Sequence, residues 1–162
     1  MTTFSTIIIR SARLDDLPII KPLWIDSWIE HARHEPGLLD EERMKRSDID
    51  RYFRDALASP KSLVLVAEIN GQVAGAVKAD QQDIPSFFRS PHIMYVDDLC
   101  TLPQYRRQGV AEALLGAVET KARELGIRRL QARVYTYNLA AQKLNAKLGW
   151  RMPHSTWDKE LD

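Results

Sequence analysis

The chain has little cysteine, no long hydrophobic run and almost no net charge, and each absence excludes something. Its single cysteine, Cys100, excludes an internal disulfide and suits a reducing cytosol. No apolar run approaches the ~20 residues of a membrane-spanning helix, so no membrane partner is expected. A net charge of +1 gives no reason to expect nucleic acid or an anionic lipid surface as a partner.

The sequence also lacks repeats and a composition shift that would mark a second domain. The first residues, Met1 to Ser5, do not form a charged segment followed by an apolar core, so a secretory signal is not expected and a cytoplasmic protein is. A hydrophobic content of 44% and a charged content of 28% are those of an ordinary soluble protein. Residues 1–162 are therefore predicted to form one domain with a substantial core.

Hydrophobic periodicity predicts alternating strands and helices. The predicted strands are 7–10, 62–69, 72–78, 93–102 and 129–135, with Trp157 in a possible final strand. The predicted helices run from the Asp15–Asp16 cap to about His31, with a kink or break at Pro22, and over 41–57, 110–125 and 138–148. Residues 79–92 are predicted to be a loop. This order indicates a mixed, mainly antiparallel sheet with helices on both faces.

The stretch 106–111 joins the central strand to the long helix and has the features of an anion site. Gly109 has no Cβ, so the backbone can approach a ligand closely. The following helix N-terminus offers free N–H groups and a partial positive charge. Arg106 and Arg107 add charge beside it. On these residues alone, a solvated basic loop and a pyrophosphate site remain equally open.

Two segments carry a family resemblance. The segment 98–111, with Pro103-Gln104-Tyr105-Arg106 and then Arg106-x-x-Gly109-x-Ala111, resembles motif A of the GCN5-related N-acetyltransferase (GNAT) family. The segment 138–150 resembles motif B of the same family, and the two come in the family's order. The resemblance implies an α/β (α+β mixed) fold, with a GNAT-like central mixed, mostly antiparallel, twisted sheet flanked by about four helices.

The resemblance also implies a co-substrate, acetyl-CoA, and no metal. Its pyrophosphate would lie on the loop amides, and its pantetheine arm would pair with the central strand, which splays from its neighbour. The residues expected at this site are Leu99, Cys100, Thr101, Arg106, Arg107, Gln108, Gly109, Val110, Ala111, Asn138 and Ala141. Asn138 has a second interpretation as a helix N-cap, and both can hold at once.

Asp97 and Asp98 are the candidate bases. As neighbours on one strand they are expected to point to opposite faces, so at most one would face the acetyl group. Some polyamine-type family members have an acidic residue at the Asp97 position, which makes Asp97 the first choice as base or ammonium anchor and Asp98 the second. An unshifted aspartate is a poor base and would need burial or a water relay. A solvated or ion-paired strand carboxylate is the alternative.

Asn145 is the main departure from the family pattern, which usually places a tyrosine there to protonate the leaving thiolate. An amide is no useful general acid. Water, Tyr135 or Tyr137 could act instead, or transfer could be slow or absent. Cys100 suggests a covalent route only weakly, because no histidine partner is evident.

The acceptor is expected to be a small-molecule or peptide amine. Scattered acids (Asp80, Asp83, Asp97) tilt the expectation slightly toward a cationic acceptor such as a polyamine or aminoglycoside. Trp24, Trp28 and His31 share a helix face, where the tryptophans are either core or pocket walls. A homodimer is possible. The leading hypothesis is direct acetyl transfer to a primary amine; the alternatives are a CoA- or acyl-CoA-binding module with weakened catalysis and, weakest, a structural domain without ligand.

Overall fold

The computed structural model of the chain describes residues 6–159 and 161. The first five residues, on which the expectation of no secretory signal rests, lie outside this range. The elements are β1 (Ile7–Ser11), α1 (Leu17–His34), α2 (Glu41–Arg46), α3 (Ile49–Ala58), β2 (Ser62–Ile69), β3 (Gln72–Asp83), β4 (His92–Thr101), α4 (Val110–Glu124), β5 (Leu130–Ala132) and α5 (Leu139–Lys147). In residues 6–159 and 161, no helix has the length and apolar character needed to cross a membrane.

The five strands form one sheet in the order β1-β2-β3-β4-β5. Strands β1 to β4 are antiparallel to one another along this order, and β5 runs parallel to β4. The predicted mixed, mostly antiparallel sheet is confirmed. The turn between β2 and β3 is the predicted hairpin turn, because Asn70 and Gly71 both have positive φ, 52° and 76°.

Helices cover both faces of the sheet, as the sequence predicted. The alternation of β2 separates the two layers: Leu65 and Ala67 point into the core beneath α4, whereas Val64 and Val66 point into the core beneath α1 and α3. Fully burying a valine or leucine side chain contributes about 1.5–3 kcal/mol. The two cores together fix β4 between α1 on one face and α4 on the other.

The helix predicted over 41–57 is two helices, which corrects that prediction. Asp40 caps α2 by accepting a hydrogen bond from the Arg43 N–H, and Asp48 caps α3 in the same way from the Arg51 N–H, both at 2.8 Å. The Asp48 side chain therefore satisfies a free helix donor and starts a new helix where a continuous one was expected. In α1, by contrast, Pro22 does not interrupt the helix, which continues to His34.

Three strand predictions also need correction. β3 extends to Asp83, which pairs with His92, so the predicted loop 79–92 shrinks to 84–91. The strand predicted over 129–135 is reduced to the three residues of β5. The possible final strand is not formed: 151–159 has no regular structure, and Trp157 is 94% exposed. The β-propensity of a segment does not indicate whether a neighbouring strand is there to pair with it. In all three cases the presence or absence of a partner strand determined the length of the strand.

Candidate active site

β4 has two irregularities that create the site. Its register against β3 shifts, so that Lys78 pairs with Asp98 but Ala79 pairs with Val96, leaving Asp97 as an extra residue. Its parallel ladder with β5 ends at Val96 and Ala132. Beyond this point 97–101 has no strand partner on the β5 side among the described residues. The splay that the resemblance implied is therefore present.

The extra residue changes where the two acids point. Strict alternation predicted that Asp97 and Asp98 lie on opposite faces, and this is wrong, because both line one pocket. A β-bulge places one unpaired residue in a strand and re-aims the side chains beside it. The bulge therefore brings both carboxylates to the same site.

The pocket has a volume of about 400 Å³ and lies across the gap between β4 and the chain that follows β5. The residues lining it are Trp28, His31, Tyr52, Tyr95, Asp97, Asp98, Arg133 and Tyr135. Its walls thus combine aromatic rings with two carboxylates and one guanidinium. The sequence did not identify Tyr52, Tyr95 and Arg133 as site residues. They lie far apart in the chain, and no local pattern indicates that the fold brings them together.

A buried cation lies beside Asp97. Lys78, only 5% exposed in its side chain, donates a hydrogen bond of 2.7 Å to Asp97 and pairs with Asp80 as well. Burial raises the pKa of Asp97 above its ordinary value, and the nearby Asp80 adds to this against the opposing effect of Lys78. Burial acts the same way on Asp80, but hydrogen bonds from its partners outweigh it and lower its pKa. The sequence does contain a signal for this ion-paired cluster: Lys78 interrupts an otherwise apolar stretch, 73–79, and a lysine that is buried there needs acidic partners.

Asp98 has a different environment. Its one hydrogen-bond partner among the described residues is the indole N–H of Trp28, at 2.8 Å. Burial raises the pKa of Asp98, although the Trp28 hydrogen bond partly opposes the shift. The two tryptophans of α1 therefore differ: Trp28 lines the pocket, whereas Trp24 is fully buried and stacks on Phe53.

The candidate acids lie at the other wall. The Tyr137 hydroxyl and Nδ1 of His31 form a short hydrogen bond, and the His31 ring lies 4.4 Å from that of Tyr135. Burial raises the pKa of Tyr137 and lowers that of His31, so both are favoured as neutral groups near pH 7. Tyr135 lines the pocket and Tyr137 contacts it through His31.

The loop before α4 has the geometry of an anion site. Arg107 and Gly109 have left-handed backbones, with φ of 61° and 85°. Such residues beside a helix N-terminus are typical of the amide concavities that hold anions. Gln108 fixes the loop by donating to the Gln104 carbonyl at 2.9 Å, and Arg106 lies 3.4 Å from the Thr101 carbonyl. Both arginines are exposed.

Helix α4 approaches the sheet closely at Gly75. A Cβ there would lie 2.6 Å from the Cys100 carbonyl and 2.9 Å from Cγ1 of Val110. Only glycine fits, and it lets the first turn of α4, with Val110 and Ala111, sit beside the end of β4. The glycine thereby places the helix N-terminus next to the open strand edge.

The remaining predicted cofactor residues fall into two groups. Leu99, Cys100 and Thr101 lie on the open part of β4 and are half-buried. Asn138 is the N-cap of α5 and accepts from the Ala141 N–H at 3.1 Å, so its capping role is present. Asn145 lies one helical turn after Ala141 in α5 and is half-buried. Within residues 6–159 and 161, no group of histidine, cysteine, aspartate and glutamate side chains is arranged to hold a metal ion.

Comparison with known proteins agrees with this geometry. The family model described as the acetyltransferase (GNAT) family matches residues 24–150. An uncharacterized N-acetyltransferase of Archaeoglobus fulgidus is 28% identical over 147 residues, covering 91% of this chain and 95% of the relative.

Solved structures share the fold. A tetramutant of the BH1408 protein of Bacillus halodurans has a TM-score of 0.80 at 20% identity, over 95% of this chain and 99% of that one. A predicted acetyltransferase of Clostridium acetobutylicum, crystallised with acetyl-CoA, has a TM-score of 0.74 at 19% identity, over 96% of each chain. With the family model matching most of its length, this chain belongs to the acetyltransferase (GNAT) family.

Proposed function

We propose that the protein transfers an acetyl group from acetyl-CoA directly to a primary amine of a small molecule or peptide. The observation that carries the proposal is the position of the pocket. Its walls come from both sides of the gap where β4 and β5 part, so an acceptor in the pocket would meet a thioester held in the gap. The loop at the N-terminus of α4 would hold the diphosphate.

The acceptor must first lose a proton. A lysine-like ammonium has a pKa of ~10.4, so presenting the neutral amine at pH 7 costs about 4–5 kcal/mol unless a base or a desolvating site helps. Asp98 suits the role of base, because its pKa is raised by burial and Trp28 is a neutral partner. Asp97 suits the role of ammonium anchor, since Lys78 already holds one of its oxygens. The sequence favoured Asp97 as base; these contacts favour Asp98.

The transfer itself is then a direct displacement. The amine lone pair attacks the thioester carbonyl carbon, its second proton is lost as the tetrahedral intermediate collapses, and the C–S bond breaks. The thiolate takes up a proton and leaves as free CoA. Tyr137 suits the role of acid for that step, directly or through a water, because it is a neutral phenol hydrogen-bonded to His31 of the pocket wall and Asn145 cannot serve.

Release of free thiol from acetyl-CoA over an amine panel tests the proposal. Asp98→Asn should lower kcat/KM by about 10²-fold or more and remove the ascending limb of its pH profile. Asp97→Asn should act mainly on the acceptor KM and leave that limb in place. If Asp97→Asn removes the limb and Asp98→Asn does not, the two roles are reversed.

The acid is tested separately. Tyr137→Phe should lower kcat with little change in the KM for acetyl-CoA, and Asn145→Tyr should restore part of the loss. Tyr135→Phe, on the same wall, tests the other candidate acid and should leave kcat nearly unchanged if Tyr137 is the acid. Equal rates for wild type and Tyr137→Phe across pH would rule out Tyr137 and leave water or Tyr135 as the proton source.

Asn145 also favours a second candidate function, a CoA-binding module with weakened catalysis. Both functions require saturable binding of CoA, but only the enzyme releases thiol in an acceptor-dependent way. Binding without release from any amine would select the module.

A further inference from the structure

Arg133 is a cation in the pocket wall that no step proposed above uses. It follows β5, is exposed to solvent, and lines the pocket together with the two carboxylates. Its guanidinium forms neither an ion pair nor a side-chain hydrogen bond with any residue in 6–159 or 161. An arginine with this freedom at a binding site is available to a ligand.

The acids that suggested a polycationic acceptor are largely engaged elsewhere. Asp83 binds Lys61 at 2.7 Å and His92 at 2.8 Å, and does not line the pocket. Asp80 is held by Lys78 and by the Ser62 hydroxyl, at 2.6 Å from the latter. Two of the three acids therefore have partners outside the pocket.

Groups of both signs remain available to a ligand, because Lys78 divides its single charge between Asp80 and Asp97. Asp97 is paired with Lys78, while Asp98 meets a neutral indole N–H. The pocket thus offers one carboxylate without a cationic partner, that of Asp98, and one guanidinium, that of Arg133. A polyamine would meet an unpaired positive charge here, whereas a molecule carrying both signs would meet a partner for each.

We propose that the acceptor is an amine that also carries a carboxylate, as α-amino acids do. This inference rests on the proposed acetyl transfer. The ammonium lies toward Asp98 and Asp97, and the carboxylate lies toward Arg133, whose planar guanidinium matches a carboxylate with two parallel hydrogen bonds. The organic body packs against the rings of Trp28, Tyr52 and Tyr135. A volume of about 400 Å³ is in the lower part of the range for small-molecule sites.

Matched acceptor pairs that differ only in the carboxylate test the proposal. Suitable pairs are phenylalanine with phenethylamine, histidine with histamine, and lysine with cadaverine, each with acetyl-CoA and a thiol-release readout. In at least one pair the carboxylated member should have a kcat/KM at least tenfold higher. Preference for the decarboxylated member in every pair overturns the proposal.

Variants identify Arg133 as the cause. Arg133→Met should abolish the preference by raising the KM of the carboxylated acceptor at least tenfold more than that of its decarboxylated partner, and Arg133→Lys should restore part of the preference. Arg129→Met, an exposed arginine just before β5 that does not line the pocket, should keep the preference. If Arg133→Met lowers kcat/KM equally for both members, the inference is wrong.

Calorimetry with the CoA-saturated protein separates this inference from the transfer activity. Transfer to cadaverine or spermidine with no carboxylated acceptor bound or acetylated overturns the inference and keeps the proposed function. Binding of the carboxylated members, weakened at least tenfold by Arg133→Met, without any transfer supports the assignment of Arg133 as a carboxylate site and overturns the proposed function, so that the bound molecule is a ligand and not an acceptor. If no member of any pair binds, the inference fails.

Discussion

The ammonium of Lys78 lies 2.7 Å from Oδ2 of Asp97, beneath the pocket and almost out of reach of solvent. It also pairs with Asp80, so one buried cation stands between two carboxylates. A buried charge with hydrogen-bonded partners on both sides stabilises a fold only while the set is complete. The charge state of the pocket thus depends on a residue that does not line it.

Replacing Lys78 tests this dependence. Lys78→Met should lower the free energy of unfolding at pH 7 by about 3–5 kcal/mol, because it leaves two carboxylates without their counter-ion. Without the lysine, the pKa values of Asp80 and Asp97 in the folded protein lie above those in the unfolded chain. The folded state of the variant therefore binds more protons than its unfolded state. The deficit should therefore shrink as the pH falls from 7 toward about 4. Urea titrations at several pH values measure it.

Lys61→Met is the matched control for the lysine prediction. Lys61 and Asp83 form an ion pair in which both side chains are exposed. Exposed pairs contribute little, so the urea midpoint should barely move. A deficit for Lys78→Met no larger than that of the control would contradict the buried-cation argument.

Gly75→Ala should weaken both the fold and the cofactor site. The new methyl group would meet the Cys100 carbonyl and Val110 at distances that force α4 away from β4, at a cost of about 1–3 kcal/mol. Because the N-terminus of α4 moves with it, affinity for CoA should also fall. Thermal unfolding and calorimetric titration with CoA give the two readouts.

Gly116→Ala, on helix α4 itself, provides the opposite case. No atom lies within 4 Å of a Cβ added there, and the position is exposed. Alanine should raise stability by up to about 1 kcal/mol through helix propensity and leave CoA binding unchanged. If both glycine variants behave alike, close contact is not what Gly75 provides.

Asp16 predicts how stability responds to acid. Its carboxylate accepts two hydrogen bonds from Arg10, at 2.7 and 2.8 Å, and one from the Arg13 N–H at 2.7 Å. The Arg10 guanidinium holds the pKa of Asp16 below its ordinary value. Its contribution is thus complete above the unfolded pKa of ~3.9 and is lost as the pH falls through the lower folded pKa.

Asp16→Asn should cost about 2–3 kcal/mol at pH 7, since Arg10 loses its charged hydrogen bonds to Asp16 and keeps only Glu68 as a counter-charge. The variant and wild type should converge as the solution is acidified through that range. Asp50→Asn removes an exposed ion pair with Lys21 and should change little. A constant difference between Asp16→Asn and wild type from pH 7 to pH 2 would contradict the assignment.

Cys100 should be inert. Burial raises the pKa of its thiol to about 12, so almost none of it is thiolate at pH 8. Alkylation by iodoacetamide should be orders of magnitude slower than for an exposed cysteine, and Cys100→Ala should keep its rate of acetyl transfer within about twofold. Rapid alkylation, or loss of transfer in the alanine variant, would revive the covalent route.

The fold was accessible from sequence where local rules decide structure. The Asn70–Gly71 turn, the apolar stripe of α4 and the glycine before it are each fixed by residues close in the chain. They located the sheet, the long helix and the loop that precedes this helix within a few residues.

The residues that line the pocket could not be predicted from the sequence in the same way. That Asp97 and Asp98 share a pocket follows from a register shift against β3, and register is a property of two strands together. Arg133 and Tyr52 meet only because the sheet and α3 bring them to one place. Conversely, 129–135 was assigned as strand because its residues favour one, whereas only Leu130–Ala132 finds a partner.

The early end of the β4–β5 ladder means that the free protein carries a notch with exposed amides along one edge. A pantetheine arm seated there would act as a substitute strand and bridge the two halves of the sheet. Those backbone amides of 98–101 that point away from β3 should then exchange with deuterium quickly in the empty protein and become protected on titration with CoA. The amides of Met94 to Val96, which have strand partners on both sides, should show little change.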